Sequence, residues 1–250
     1  MNNLNKHKII ATGNINLQEV EINPRTERLI NENKETIENI WQETLKNKKL
    51  FNGALLNFCD VNKSEETIRI KGSFTEYKNF FAQIHTDLDL NIRPIGVSGV
   101  LILKEAGTEY VVFAKRTYDV TQYPGFLELV PSGSIDKEYI NADKTIDYKS
   151  KLLSEFTEET GLSKNSVKDI SSFALVLDTD HNVYDIGCKI SLNAKKKFIE
   201  EKFKDSKEYN NPIFVAVDEL SDFIKTRPDS IIPTSIALID AYIKDNVTYQ

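Results

Sequence analysis

The segment Ser154-Glu155-Phe156-Thr157-Glu158-Glu159-Thr160-Gly161-Leu162 gathers three carboxylates at positions i, i+3 and i+4. At about 100° per residue, this spacing puts Glu155, Glu158 and Glu159 on one face of a helix predicted to start near Thr145. Ile146, Leu152, Leu153 and Phe156 fall on an adjacent apolar face, and Gly161 stands where a glycine ends a helix. Like charges one turn apart destabilise a bare helix by roughly a few tenths of a kcal/mol per pair. A hard divalent cation removes that penalty. Mg²⁺ takes carboxylate oxygens and keeps waters, which suits a phosphate-bearing substrate, and Mn²⁺ accepts the same ligands. The bland alternative for an E-x-x-E-E run is a solvated acidic face.

Other candidate residues are isolated. Arg116, at a strand end near Tyr118 and Tyr123, reads either as a clamp for a pyrophosphate or as a surface ion pair. Asn52-Gly53 is most simply a turn. His181, in the run Asp178-Thr179-Asp180-His181-Asn182, reads as a solvated turn residue, because no histidine partner lies nearby in sequence. His7 and His85 carry no signal. Lys195–Lys197 reads as a solvated helix start or loop, and Phe80-Phe81 as core, with stacking on a base as the alternative. Cys59 and Cys188, each inside an apolar stretch, read as buried reduced thiols.

The elements that must position these groups follow from periodicity. Residues 24–46 have Pro24 at the start and Leu29, Ile30, Ile37, Ile40, Trp41 and Leu45 at helical spacing, which predicts one helix. Residues 55–61 and 66–72 read as strands joined by a turn at 63–66. Ser73 or Thr75 is expected to cap a short helix carrying Phe74, Tyr77, Phe80, Phe81 and Ile84. From Ile95 the texture changes: 95–103 and 109–116 are apolar runs around Gly107, and 125–133 follows. Residues 173–180 and 183–192 predict an antiparallel pair around Asn182. A strand at 212–217 and a Pro-started helix at 233–246 complete the chain. Such a mixture predicts an α/β/α sandwich with a mixed sheet, preceded by a small N-terminal α+β unit. The expected division is 1–92 and 93–250.

Composition removes several function classes. With 40% hydrophobic and 28% charged residues, the chain is neither disordered nor collagen-like. Its 32 Lys and Arg against 38 Asp and Glu give a net charge of −6, and only six residues are arginine. No basic stripe interleaved with aromatics appears, so no nucleic-acid partner is expected. No apolar run approaches the length of a membrane span, and Met1–Asn16 lacks the apolar core of a signal peptide. The expectation is a soluble, cytoplasmic protein without a membrane partner.

Ser154–Leu162 resembles the second half of the Nudix signature, G-x5-E-x7-R-E-U-x-E-E-x-G-U, where U is a bulky aliphatic residue. The match holds at every defined position except the arginine, which is Ser154, with Phe156 at U. The strand order before and after, with LELVPSG presenting Gly133 as the signature glycine, is similar to that family's. The first half departs from the pattern. Gly133 and Ser154 lie 21 positions apart where the pattern asks for fourteen, so seven residues are inserted, most simply within Asp136–Lys144. The first signature glutamate has no match: Glu138 is one residue out of register and Ile146 holds the spaced position.

A second resemblance covers 40–190. LFNGALLNF (50–58) and AKRTYDVTQYPGFLELVPSG (114–133) look like elements of the UDP-sugar-hydrolysing Nudix proteins of animals, plants and bacteria. The two resemblances imply a Mg²⁺-dependent pyrophosphohydrolase that splits UDP-glucose or UDP-galactose into UMP and a sugar 1-phosphate. They imply metal binding by Glu155, Glu158 and Glu159, and catalysis by Glu155, the first choice for activating water, or Glu159. Arg116, Asn52, Gly53 and Gly133 are then the substrate-binding candidates. The N-terminal unit would serve a homodimer or wall the nucleotide pocket. ADP-ribose and dinucleoside polyphosphates are competing substrates. A catalytically silent nucleotide-binding module is the alternative, motivated by Ser154, the insertion and the unmatched glutamate.

Overall fold

A computed structural model describes residues 6–64, 67–120 and 123–247. Two short strands, β1 (His7–Thr12) and β2 (Asn14–Glu19), come first. Helix α1 (Pro24–Glu32) starts on Asn23, whose side-chain oxygen accepts the Thr26 N–H at 3.2 Å. The single helix predicted over 24–46 is interrupted at Asn33, with α2 (Lys34–Leu45) following. Asn33 leaves helical geometry at φ −114°, ψ 14°, and its amide donates back to the Leu29 carbonyl at 2.9 Å. An asparagine that bonds its own backbone competes with helix continuation.

Strands β3 (Ala54–Lys63) and β4 (Thr67–Glu76) pair antiparallel. Glu65 and Glu66, part of the predicted turn, lie outside the described residues. The predicted cap at Ser73 or Thr75 is not formed. Ser73 and Phe74 continue β4 opposite Asn57 and Leu56, and helix α3 (Tyr77–His85) starts later. Pairing with β3 overrides the local preference of a serine for a cap.

The second part runs β5 (Ile95–Glu105), β6 (Thr108–Arg116), β7 (Leu127–Leu129), β8 (Ser132–Ser134), α4 (Tyr148–Thr160), β9 (Val167–Asp178), β10 (Val183–Leu192), α5 (Lys196–Phe203), β11 (Tyr209–Ala216), α6 (Leu220–Lys225) and α7 (Pro233–Val247). Among the described residues these strands and β1 form an eight-stranded sheet in the order β1-β9-β10-β5-β6-β11, with β7 on β6 and β8 on β5. Only β10 and β5 run parallel, so the sheet is mixed. The predicted β9–β10 pair forms, with Asn182 at φ 55° in its turn. The outer strands are irregular: register shifts fall between Ile9 and Ala11 in β1 and between Tyr209 and Pro212 in β11.

Strand alternation divides the apolar side chains between the two faces. On one face Val97, Leu101, Val112 and Ala114 meet Leu152 and Phe156 of α4. On the other, Val100, Val111, Phe113 and Val176 meet Ile236, Leu238 and Ile239 of α7. The expected α/β/α sandwich is therefore the observed architecture. A second sheet, β2-β4-β3, stands against the first, and its Leu17, Leu56 and Ile70 share a core with Leu152 and Phe156. The first strand crosses the expected boundary near residue 93, since β1 pairs with β9.

Candidate functional site

Helix α4 begins at Tyr148, not near Thr145, because Asp147 caps it. Its carboxylate accepts the Ser150 N–H at 3.0 Å and the Ser150 hydroxyl at 2.7 Å. Thr145 and Ile146 stay extended and bridge to β2, with Ile146 N–H donating to the Leu17 carbonyl at 2.9 Å. The expected insertion, 136–144, is likewise docked: Lys144 lies 3.0 Å from Glu19. At the other end Gly161 takes φ 68°, a left-handed cap that a side chain would strain. Helix and insertion are thus clamped between β8 and the N-terminal unit.

This placement separates the three glutamates. Glu159 is buried, 6% exposed, and its Oε2 accepts the Ser132 N–H at 3.1 Å. Glu155 is largely covered and packs on Gly133, where an added Cβ would stand 2.8 Å from its Cγ and Cδ. Glu158 is exposed and accepts from the Ser154 hydroxyl at 3.3 Å. Glu155 and Glu159 are about 40° apart around the helix, with Glu158 about 60° to the other side of Glu155. The sheet covers the first two and leaves the third in solvent.

Charge on the buried pair is uneven. Burial holds Glu159 well above the ordinary carboxylate range, with Glu128 and Glu155 adding like-charge repulsion against the Ser132 N–H. Glu155 is also raised by burial, opposed by Lys151, whose ammonium lies 2.5 Å from its Oε1 and 2.8 Å from Asp136. Arg116 pairs with Glu128, with both side chains largely covered. Glu128 also accepts from the Tyr209 hydroxyl at 2.9 Å and the Ser132 hydroxyl at 3.1 Å. A lone glutamate inside the apolar Leu-Glu-Leu run was the available sequence signal for Glu128.

A cavity of about 670 Å³ opens beside this network, within the usual size of small-molecule sites. Arg116, Glu128, Gly133 and Glu159 line it. Asp185 lines it too, accepting the Ser98 hydroxyl at 2.6 Å, and burial pushes its pKa up to about 7. His181, an exposed residue of the β9–β10 turn as the sequence suggested, also reaches the wall and bonds Asp178. Glu155 and Glu158 are not among the lining residues, and neither are Asn52 and Gly53. Asn52 instead accepts the Lys78 N–H at 2.9 Å and Gly53 the Tyr77 N–H at 2.9 Å, which caps α3.

The donor chemistry suits a hard cation: Glu159 is a buried carboxylate with two like-charged neighbours and one N–H partner. The side chains themselves are not gathered into a ready site. Among the described residues no group of three or more His, Cys, Asp or Glu is arranged to hold a metal ion.

No family model matches the chain, and no curated protein matches it. Solved structures similar to it include an Ap4A hydrolase binary complex from C. elegans, at 14% identity and TM-score 0.39, over 62% of this chain and 98% of that one. The NUDIX domain of Shewanella oneidensis NrtR complexed with ADP ribose is similar at 14% identity and TM-score 0.43, over 61% and 87%. A mutT/nudix family protein from Listeria innocua is similar at 11% identity and TM-score 0.44, over 62% and 94%.

Proposed function

We propose that the protein is a Mg²⁺-dependent pyrophosphohydrolase that cleaves a nucleoside diphosphate joined to a second group, with UDP-sugars as substrates. The observation that carries this reading is Glu159. It is a buried carboxylate on the signature-like helix, held by Ser132 beside the signature-like Gly133 and facing a cavity of nucleotide size. A divalent cation held by Glu155 and Glu159, with Glu158 adjacent, would supply charge neutralisation on the phosphates and make the attacking water more acidic. The chain's own residues do the rest. Arg116, fixed by Glu128 and Tyr209, offers guanidinium donors at the cavity wall for a phosphate oxygen. A carboxylate of α4 receives the proton of the attacking water. The UDP-sugar preference is supported by the LFNGALLNF and AKRTYDVTQYPGFLELVPSG resemblance; in the second run Thr121 and Gln122 lie outside the described residues.

The catalytically silent nucleotide-binding alternative has its own support. Lys151 stands on Glu155, and the three glutamates do not converge. Incubation with UDP-glucose, UDP-galactose, ADP-ribose and dinucleoside polyphosphates plus Mg²⁺, read by product mass, separates these readings. Release of UMP and a sugar 1-phosphate is expected. Turnover of another pyrophosphate alone refutes the UDP-sugar assignment and keeps the reaction class. Nucleotide binding without any turnover favours the silent module.

A further inference from the structure

The cavity wall holds a second set of groups that the cleavage described above does not use. Asp178, at the end of β9, is buried at 3% exposure. Its Oδ1 accepts the backbone N–H of Asp180 at 2.9 Å and of His181 at 3.4 Å. Its Oδ2 accepts the Tyr123 hydroxyl at 2.8 Å and faces Nδ1 of His181 at 2.9 Å. A carboxylate locked by this many donors fixes the tautomer of the ring: Nδ1 carries a proton toward Asp178, and Nε2 is the position left to exchange one. The Tyr123 hydroxyl, which donates to Asp178, also lies 2.9 Å from Nδ1 and so can only accept from it, and its ring meets the imidazole edge-on at 5.4 Å. Tyr123, Asp178 and His181 line the same cavity as Arg116 and Glu159.

We propose that His181 is a further catalytic residue of the pyrophosphate cleavage proposed above, delivering a proton from Nε2 to the departing phosphoryl oxygen. The inference rests on that reading of the site. In the step, water oxygen forms a bond to phosphorus and its proton passes to a carboxylate of α4. The bond from phosphorus to the bridging oxygen breaks, its electron pair stays on that oxygen, and the Nε2 proton neutralises it. Neutral imidazole then regains a proton from solvent.

The surroundings favour the imidazolium that an acid needs. The hydrogen bond to Asp178 raises the His181 pKa most, burial opposes it, and the charges of Asp178 and Asp180 outweigh that of Lys6, so the group sits above its ordinary value. Lys6 is itself held 2.7 Å from Asp180.

The test compares His181→Gln with wild type on the best pyrophosphate substrate and on the phenyl and 4-nitrophenyl esters of UMP, whose leaving groups differ in their need for a proton. The variant should lose about a hundredfold in kcat on the phenyl ester, with KM little changed, and much less on the 4-nitrophenyl ester, with a measurable loss on the pyrophosphate. The alkaline fall of wild-type kcat should disappear. Equal losses on the two esters, an unchanged kcat, or a rise confined to KM would overturn the assignment while leaving the pyrophosphohydrolase reading intact. No turnover of any pyrophosphate by wild type would overturn both. A readout independent of activity is the NMR titration of the His181 ring, which should lie above about 6.5 and fall in Asp178→Asn. A wild-type ring that titrates at or below that value also overturns the proposal.

Discussion

Replacing Arg116 with methionine tests whether the cavity network is held by charge pairing. Methionine keeps much of the side-chain volume, so the change falls mainly on Glu128, which is 6% exposed and would lose its cation. Removing one partner of a buried pair costs about 3–5 kcal/mol, because the remaining charge stays desolvated. Here Glu128 retains hydrogen bonds from Tyr209 and Ser132, and Arg116 is still 16% exposed, so the cost falls somewhat below that range. The expected loss is about 2–3 kcal/mol in unfolding free energy. Glu159 adds to it, since Glu128 already repels it and would no longer be offset by its own cation. Urea denaturation of Arg116→Met, Glu128→Gln and the double variant gives the coupling directly. The double variant should recover most of the loss, because a neutral amide needs no cation. A single-variant loss below about 1 kcal/mol, or a double variant less stable than Arg116→Met, would show that solvent or another group already compensates Glu128.

Glu159→Gln should raise stability at neutral pH while abolishing turnover. A carboxyl whose folded pKa is raised contributes stability below its unfolded pKa of about 4.3, and that contribution is lost as pH rises through the folded value. Thermal melts from pH 4 to 8 should therefore show a flatter profile in the variant; a variant less stable than wild type at pH 7 refutes the charge argument. Lys151→Met removes the ammonium competing for Glu155, so calorimetric Mg²⁺ affinity should rise severalfold. Weaker binding would instead mean that Lys151 positions the carboxylate. Asn52→Ala should cost about 1 kcal/mol through loss of the α3 cap, with KM unchanged; a raised KM would restore Asn52 as a substrate contact.

The sheet was legible where one strand carries its own pattern. Residues 95–103, 109–116 and 183–192 are apolar enough to specify central strands unaided, and Gly161 marks the end of α4 from sequence alone. β1 was not, since His7–Thr12 is only partly apolar and becomes a strand because β9 presents it with a pairing edge. The helix break escaped because both sides of Asn33 keep one apolar period, while the side-chain bond to Leu29 is a three-dimensional choice. At the site, helical spacing fixes the angles between Glu155, Glu158 and Glu159 but not which of them the sheet covers. Glu128 shows in sequence only as a charge inside an apolar run, since its partner Tyr209 lies 81 positions away. Asp178 and His181, three apart in one turn, are readable as a pair from the sequence once a carboxylate is accepted as the partner of the ring.

The irregular outer strands bear on how copies of this chain can meet. A sheet edge with regular, unpaired N–H and C=O groups is a template for another strand. In the large sheet both ends are spoiled: β1 changes register between Ile9 and Ala11, and β11 does so between Tyr209 and Pro212, where proline also removes a donor. Each irregularity works against a second molecule continuing the hydrogen-bond ladder in step across that margin of the large sheet. The chain thus carries at both ends of this sheet the kind of break that keeps a sheet finite.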